Sequence, residues 1–222
     1  MKYFSEDYLI FFKELAANNH KEWFDSNRKR YENIVKIPFQ IFIDDLINEL
    51  VKIDPEIKIT SKEAIFRINK DLRFSKDKTP YKLNNSAVIS KQGRVDKTHP
   101  GLYIELGPEH LRIYGGLYMP STVEIQKVRE AIVHQSEYFK NLIESPVFKK
   151  SYNQIRGEKQ IRIPKEFKLI AEIQPLVLNK QWYYFAEFSP KKIIEDNLLE
   201  LVVQYYQNGF AVKEFFKNAL GK

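Results

Sequence analysis

Apolar residues recur at helical spacing through the first quarter of the chain. Tyr8, Leu9, Phe12, Leu15 and Ala16 follow Ser5, a residue suited to an N-cap, and predict a short amphipathic helix ended by Asn18 and Asn19. Asn19 with Glu22 has capping-box spacing, and Trp23, Phe24, Tyr31, Ile34 and Val35 carry an apolar face on to Pro38, which should kink or split the helix. Ile41, Phe42, Leu46, Ile47 and Leu50 extend the stripe to a turn at Asp54 and Pro55.

From Lys58 the period changes to that of strands. Phe66, Ile68, Leu72 and Phe74 alternate with Arg67, Asn69, Asp71 and Arg73, which predicts a strand over residues 66–74. Further strands are expected over residues 87–90, 102–106 and 111–114, the last two joined by a hairpin turn at Gly107, Pro108 and Glu109, with Gly115 and Gly116 ending the hairpin. Ser121 and Glu124 form a second capping box before a helix lined by Ile125, Val128, Ile132, Phe139, Leu142 and Ile143, which ends before Pro146. Residues 183–188 read as an aromatic strand, and Ser189 with Pro190 as the N-cap and first residue of a last helix lined by Leu198, Leu201, Val202 and Tyr205. This order predicts a single α+β domain over residues 1–222 with a mostly antiparallel sheet. Its parts are a helical region over about residues 5–52, a sheet-rich middle over about 58–116 and a mixed region over about 121–220.

Composition narrows the possible chemistry. The 222 residues include no cysteine, which removes disulfides, thiolate nucleophiles and thiolate metal sites and makes the cytoplasm the expected location. Apolar runs fall short of a membrane span, and Glu6 and Asp7 precede the run at residues 8–12, unlike a signal peptide, so a soluble protein without a membrane partner is expected. The net charge of +7 and pI near 9.2 permit an acidic partner such as nucleic acid. Lysine outnumbers arginine 27 to 9 in a chain rich in Ile and Asn, a bias that A·T-rich coding also produces, so global basicity argues little. His20, His99, His110 and His134 stand singly, without the spacing of a metal site, and no metal or cofactor is expected. His99, before Pro100, reads as a partly exposed turn histidine rather than a base.

Chemistry concentrates in residues 67–82, RINKDLRFSKDKTPYK, where six cationic side chains accompany two anionic ones. As a strand, the segment places Arg67, Asn69, Asp71 and Arg73 on one face, a set suited to a bidentate grip on phosphate or carboxylate, and the loop adds Lys76, Asp77, Lys78, Tyr81 and Lys82. Three readings remain open. The segment binds a small anionic or phosphoryl-bearing ligand through Arg67, Asn69, Arg73, Lys78 and Lys82, or the same basic loop docks nucleic acid or protein. Alternatively, Asp71 and Asp77 pair with Arg67, Arg73 and Lys78 in a purely structural network. Asp71, Asp77 and Tyr81 are the weak catalytic candidates, although Tyr81 fits a core ring better than an acid. Gly115 and Gly116 are also placed to offer N–H groups to an anion near the start of the Ser121 helix, or simply to end a hairpin. Walker, Rossmann and Gly-x-Ser-x-Gly motifs are absent, so the sequence names no enzyme class.

The run Arg67, Lys70, Asp71, Arg73, Phe74, Ser75, Asp77, Lys78, Pro80, Tyr81, Lys82 resembles the signature of the family known as domain of unknown function 2461. Asn18, Asn19, Trp23, Phe24 and Tyr31, and later Gly115, Gly116, Tyr118 and Pro120, extend the resemblance over nearly the whole chain. Lys70 departs from a position where the family favours Arg, which implies a point-charge contact instead of a planar one, and Glu166 stands where the family often has Gly. The resemblance implies identity and extent and carries over no catalytic residue.

Overall fold

The computed structural model describes residues 1–73, 75–96, 98–162, 164 and 167–222. Phe74 and Glu166, both singled out above, lie outside them. Helix α1 (Glu6–Ala17) buries Tyr8, Phe11, Phe12 and Leu15. Helices α2 (Lys21–Ser26) and α3 (Arg28–Arg30) lead through a π-helical turn, Tyr31–Lys36, into α4 (Ile37–Val51). Pro38 thus falls in the first turn of α4, where its missing N–H and its ring are tolerated because the wider π turn precedes it.

The expected Asn19 cap is replaced by His20, whose Nδ1 accepts from the Trp23 N–H at 3.5 Å, because the Asn19 amide is engaged elsewhere. The β-rich reading from Lys58 also changes. Thr60 and Glu63 form a capping box that starts α5 (Ser61–Ala64).

The sheet contains β1 (Asn85–Ile89), β2 (Leu102–Leu106), β3 (Leu111–Leu117) and β4 (Trp182–Phe188) in sequence order, every pair antiparallel. Gly115 and Gly116 lie inside β3, opposite Tyr184 and Tyr183, and do not end it. An alanine Cβ at position 115 would stand 2.5 Å from the Tyr184 ring, so only glycine lets that ring enter the core.

The helix after Ser121 divides at Gln135 into α6 (Thr122–His134) and α7 (Ser136–Glu144), and the turn allows Phe139 to pack 4.6 Å from Phe215. Two short helices follow, α8 (Pro146–Tyr152) and α9 (Ile170–Ile173). Ser189 and Pro190 open only a 3-10 turn, Pro190–Ile194, and the last helix, α10 (Leu198–Leu220), starts after Asn197.

Leu102, Ile104, Leu106, Leu111 and Ile113 face a core shared with α1, α4 and the first half of α10, while Trp182 and Tyr184 face a second core with α6 to α8 and the end of α10. At about 1.5 Å per residue, α10 is long enough to span both. Among the described residues, no helix is long and apolar enough to cross a membrane.

Candidate functional site

The signature segment lies along the free edge of the sheet. Ile65 bridges Ala87, the Phe66 N–H donates to the Ser86 carbonyl at 3.0 Å, and the chain then pairs with its own return. There the Lys82 N–H donates to Ile68 at 2.8 Å and the Lys70 N–H to Pro80 at 2.9 Å.

The strand expected over residues 66–74 is therefore realised only in its first half. Beyond Lys70 the aspartates capture nearby backbone: Asp71 accepts from the Arg73 N–H at 3.2 Å and Asp77 from the Thr79 N–H at 2.9 Å, turns that compete with a ladder. The predicted alternation nevertheless survives in exposure. Arg67, Asn69, Asp71 and Arg73 face solvent while Ile68 is buried.

The N-terminal helices fix the base of this loop. Asn19 Nδ2 donates to the Tyr81 carbonyl at 2.9 Å, its Oδ1 accepts the Tyr81 N–H at 3.1 Å, and Phe24 stacks on the Tyr81 ring with centroids 4.0 Å apart. Tyr81 is a core ring, and burial raises its hydroxyl pKa.

The ion pairs differ from the expected network. Arg73 pairs with Asp71 at 2.6 Å, Lys70 joins Asp77 at 2.6 Å and Thr79 at 2.5 Å, and Lys78 donates to the Leu72 carbonyl at 3.2 Å. Lys70, not Lys78, is thus the partner of Asp77, and the pairs lie at the surface, where such contacts add little stability. The Arg73 hydrogen bond holds Asp71 well below the usual carboxylate range, and the Lys70 hydrogen bond does the same for Asp77. Both are suited to organising the loop rather than to accepting a proton near neutral pH.

The side chains of Arg67 and Lys82 make no hydrogen bond or ion pair with the described residues of this loop, although the charge of Arg67 adds to the effect that holds Asp71 low. Among the described residues the Arg67 side chain makes no hydrogen bond or ion pair. Lys82 is half-buried, with Nζ 5.2 Å from the Phe66 ring centroid, and burial lowers its pKa, assisted by the charge of Arg67 and opposed by that of Glu105.

Phe66 also lines a cleft of about 540 Å³ on the face of the sheet opposite the helices. Its floor carries Val88, Tyr103, Glu105, Tyr114 and Tyr183, and Asp96, His99, Tyr118 and Met119 complete the walls. Rings follow one another across the strands. Phe66 to Tyr103 is 6.2 Å, Tyr103 to Tyr114 is 5.4 Å and Tyr114 to Phe185 is 5.0 Å, with the Arg156 guanidinium 4.5 Å from Phe185.

Burial pushes the Tyr103 hydroxyl up to about 12, with Glu105 adding to the effect, so it remains a donor at neutral pH. His99 is only 7% exposed, not the partly exposed turn residue expected, and burial lowers its pKa against the opposing charge of Asp96. Burial would raise Asp96, but hydrogen bonds from Thr98 and the charge of Lys222 outweigh it and hold that carboxyl low.

Sequence reasoning missed this cleft although it read the strands. Aromatic residues fall on both faces of β4, so periodicity alone does not mark the open face. His20, His110 and His134 are dispersed over the α2 cap, the β2–β3 turn and the end of α6. Among the described residues no group of three metal-ligating His, Asp or Glu side chains occurs.

An antiparallel sheet covered by helices on one face and hollowed by an aromatic cleft on the other defines an α+β protein with a ligand-sized cavity. The chain belongs to the family described as Conserved hypothetical protein (DUF2461), whose model matches residues 7–215. No curated protein matches it.

Proposed function

We propose that the protein binds a small phosphoryl-bearing ligand, with the anionic group held where Arg67 and Lys82 meet at the rim of the sheet-face cleft. The observation that carries this reading is a pair of neighbouring cations, Arg67 and Lys82, whose side chains make no hydrogen bond or ion pair among the described residues. Lys82 is half-buried, and burial first and then the charge of Arg67 lower its pKa against the opposing charge of Glu105. An anion would relieve that repulsion and supply acceptors for both side chains. Arg73 and Lys78 close the neighbouring loop, and Asn69, exposed at the base, is available to orient the ligand. Nothing in this arrangement requires a reaction, and binding alone is proposed.

The test is thermal unfolding against rising pyrophosphate, since a ligand that prefers the native state raises the melting temperature. The wild type should show a concentration-dependent rise, and Arg67→Ala and Lys82→Met should each remove most of it. A flat wild-type response, or variants that respond like the wild type, would overturn the reading.

A further inference from the structure

The cleft beside the cationic rim has its own chemistry, and it restricts what the phosphoryl group is attached to. Tyr103, Tyr114, Tyr118 and Tyr183 bring four phenol rings to one cavity, with Phe66 at the cationic end. Tyr118 and Met119 form an exposed lip, 57% and 61% accessible, and Met119 is held in the left-handed region at φ 54°, where an unbranched apolar residue is seldom found. Tyr118 stands edge-on to Tyr183 with ring centroids 6.0 Å apart. These are surfaces for the flat face of a ring.

The polar groups are few and mostly acceptors or neutral donors. They are the carboxylates of Glu105 and Asp96, the buried imidazole of His99 and the tyrosine hydroxyls. Such a set suits the edge of a heterocycle carrying N–H groups and, because of the carboxylates, disfavours a second anion deep in the cleft.

One wall is braced. Asp96 is tied to Lys222 at 3.6 Å, and Lys222 also meets Thr98 at 2.6 Å and Glu124 at 3.0 Å, so Lys222 holds Asp96 and Thr98 in place. A volume of about 540 Å³ is of the size of one nucleotide rather than of a continuous strand of nucleic acid.

We infer that the ligand is a mononucleotide, its base lodged between the tyrosines of the sheet face and the Tyr118–Met119 lip, its phosphate on Lys82 and Arg67. This inference rests on the proposed anion site and adds the base to it.

Titration calorimetry with AMP, GMP, CMP and UMP, with pyrophosphate, and with a mixed-sequence single-stranded 12-mer separates the two readings. At least one mononucleotide should bind tenfold or more tightly than pyrophosphate. Tyr118→Ala, which alters an exposed side chain, should weaken that nucleotide about fivefold or more, the scale of one lost stacking contact. Lys82→Met should weaken nucleotide and pyrophosphate together.

If pyrophosphate binds in a Lys82-dependent way but no nucleotide binds better, the anion site stands and the base inference falls. If Tyr118→Ala binds the nucleotides like the wild type, the inference falls as well. Tighter binding of the 12-mer than of every mononucleotide would also overturn it, in favour of an open nucleic-acid surface. If neither pyrophosphate nor any nucleotide binds, both readings fail.

Discussion

Asp54 is a buried charge, 5% exposed, whose partners decide its state. It accepts a hydrogen bond from Tyr206 at 3.0 Å and pairs with Lys213, itself 3% exposed, on α10. Burial alone would raise its pKa, but the Lys213 contact and the Tyr206 hydroxyl outweigh burial and hold it below the ordinary value. A depressed folded-state pKa gives stability that is complete above the unfolded value of about 3.9 and is lost as pH falls through the folded one.

Lys213→Met leaves a buried carboxylate without its cation, so it should cost about 3–5 kcal/mol at pH 7. In that variant burial raises the Asp54 pKa above its unfolded value, and protonation then favours the folded state. The stability gap between wild type and variant should therefore narrow from pH 7 towards pH 4. Urea unfolding at several pH values checks this, and a gap independent of pH would contradict the assignment.

The strands and helices show where pattern suffices and where it does not. β2 is read from the sequence with the bounds it has, because Leu102, Ile104 and Leu106 alternate cleanly with Tyr103 and Glu105. β3 is read too short because Gly115 and Gly116 look like turn residues. They are glycines for another reason: a Cβ at position 115 would strike the Tyr184 ring and one at position 116, itself at φ 95°, the Trp182 carbonyl, both on β4 and nearly seventy residues away.

The same limit applies to residues 66–74. Alternation correctly separates Ile68 from the polar face, but the side chains of Asp71 and Asp77 end the ladder locally. Asn19 is a capping residue by spacing and a clamp on Tyr81 in fact, a distinction visible only when α2 and the loop base meet.

If close approach to Tyr184 is the reason for glycine at position 115, Gly115→Ala should destabilise the protein by about 1–3 kcal/mol through overpacking. Chemical denaturation measures this, and a change within about 0.5 kcal/mol would show that the ring has room to move.

Taken as a whole, the molecule separates its supports from its open surface. Helices cover one face of the sheet, α10 joins the two cores, and the other face holds the cleft with cations at each edge, Lys82 by Phe66 and Arg156 by Phe185. The net charge of +7 is therefore less informative than where the cations stand.

A second basic depression, of about 870 Å³, is lined by Lys127, Arg129, Lys159 and Lys180, but Arg129 there is buried and donates to the carbonyls of Val177 and Asn179 at 2.8 and 3.1 Å. Lys180 meets Glu158 at 3.4 Å. Those contacts assign much of its charge to structure. The two depressions also lie on different elements, so a ligand's choice between them can be read residue by residue.

The most direct measurement is an amide NMR titration of the 26.4 kDa protein with pyrophosphate. The account predicts that the largest shifts fall on Phe66, Arg67 and Lys82 and are lost in Lys82→Met. Shifts centred instead on Lys127, Lys159 and Lys180, or none at any concentration, would contradict it.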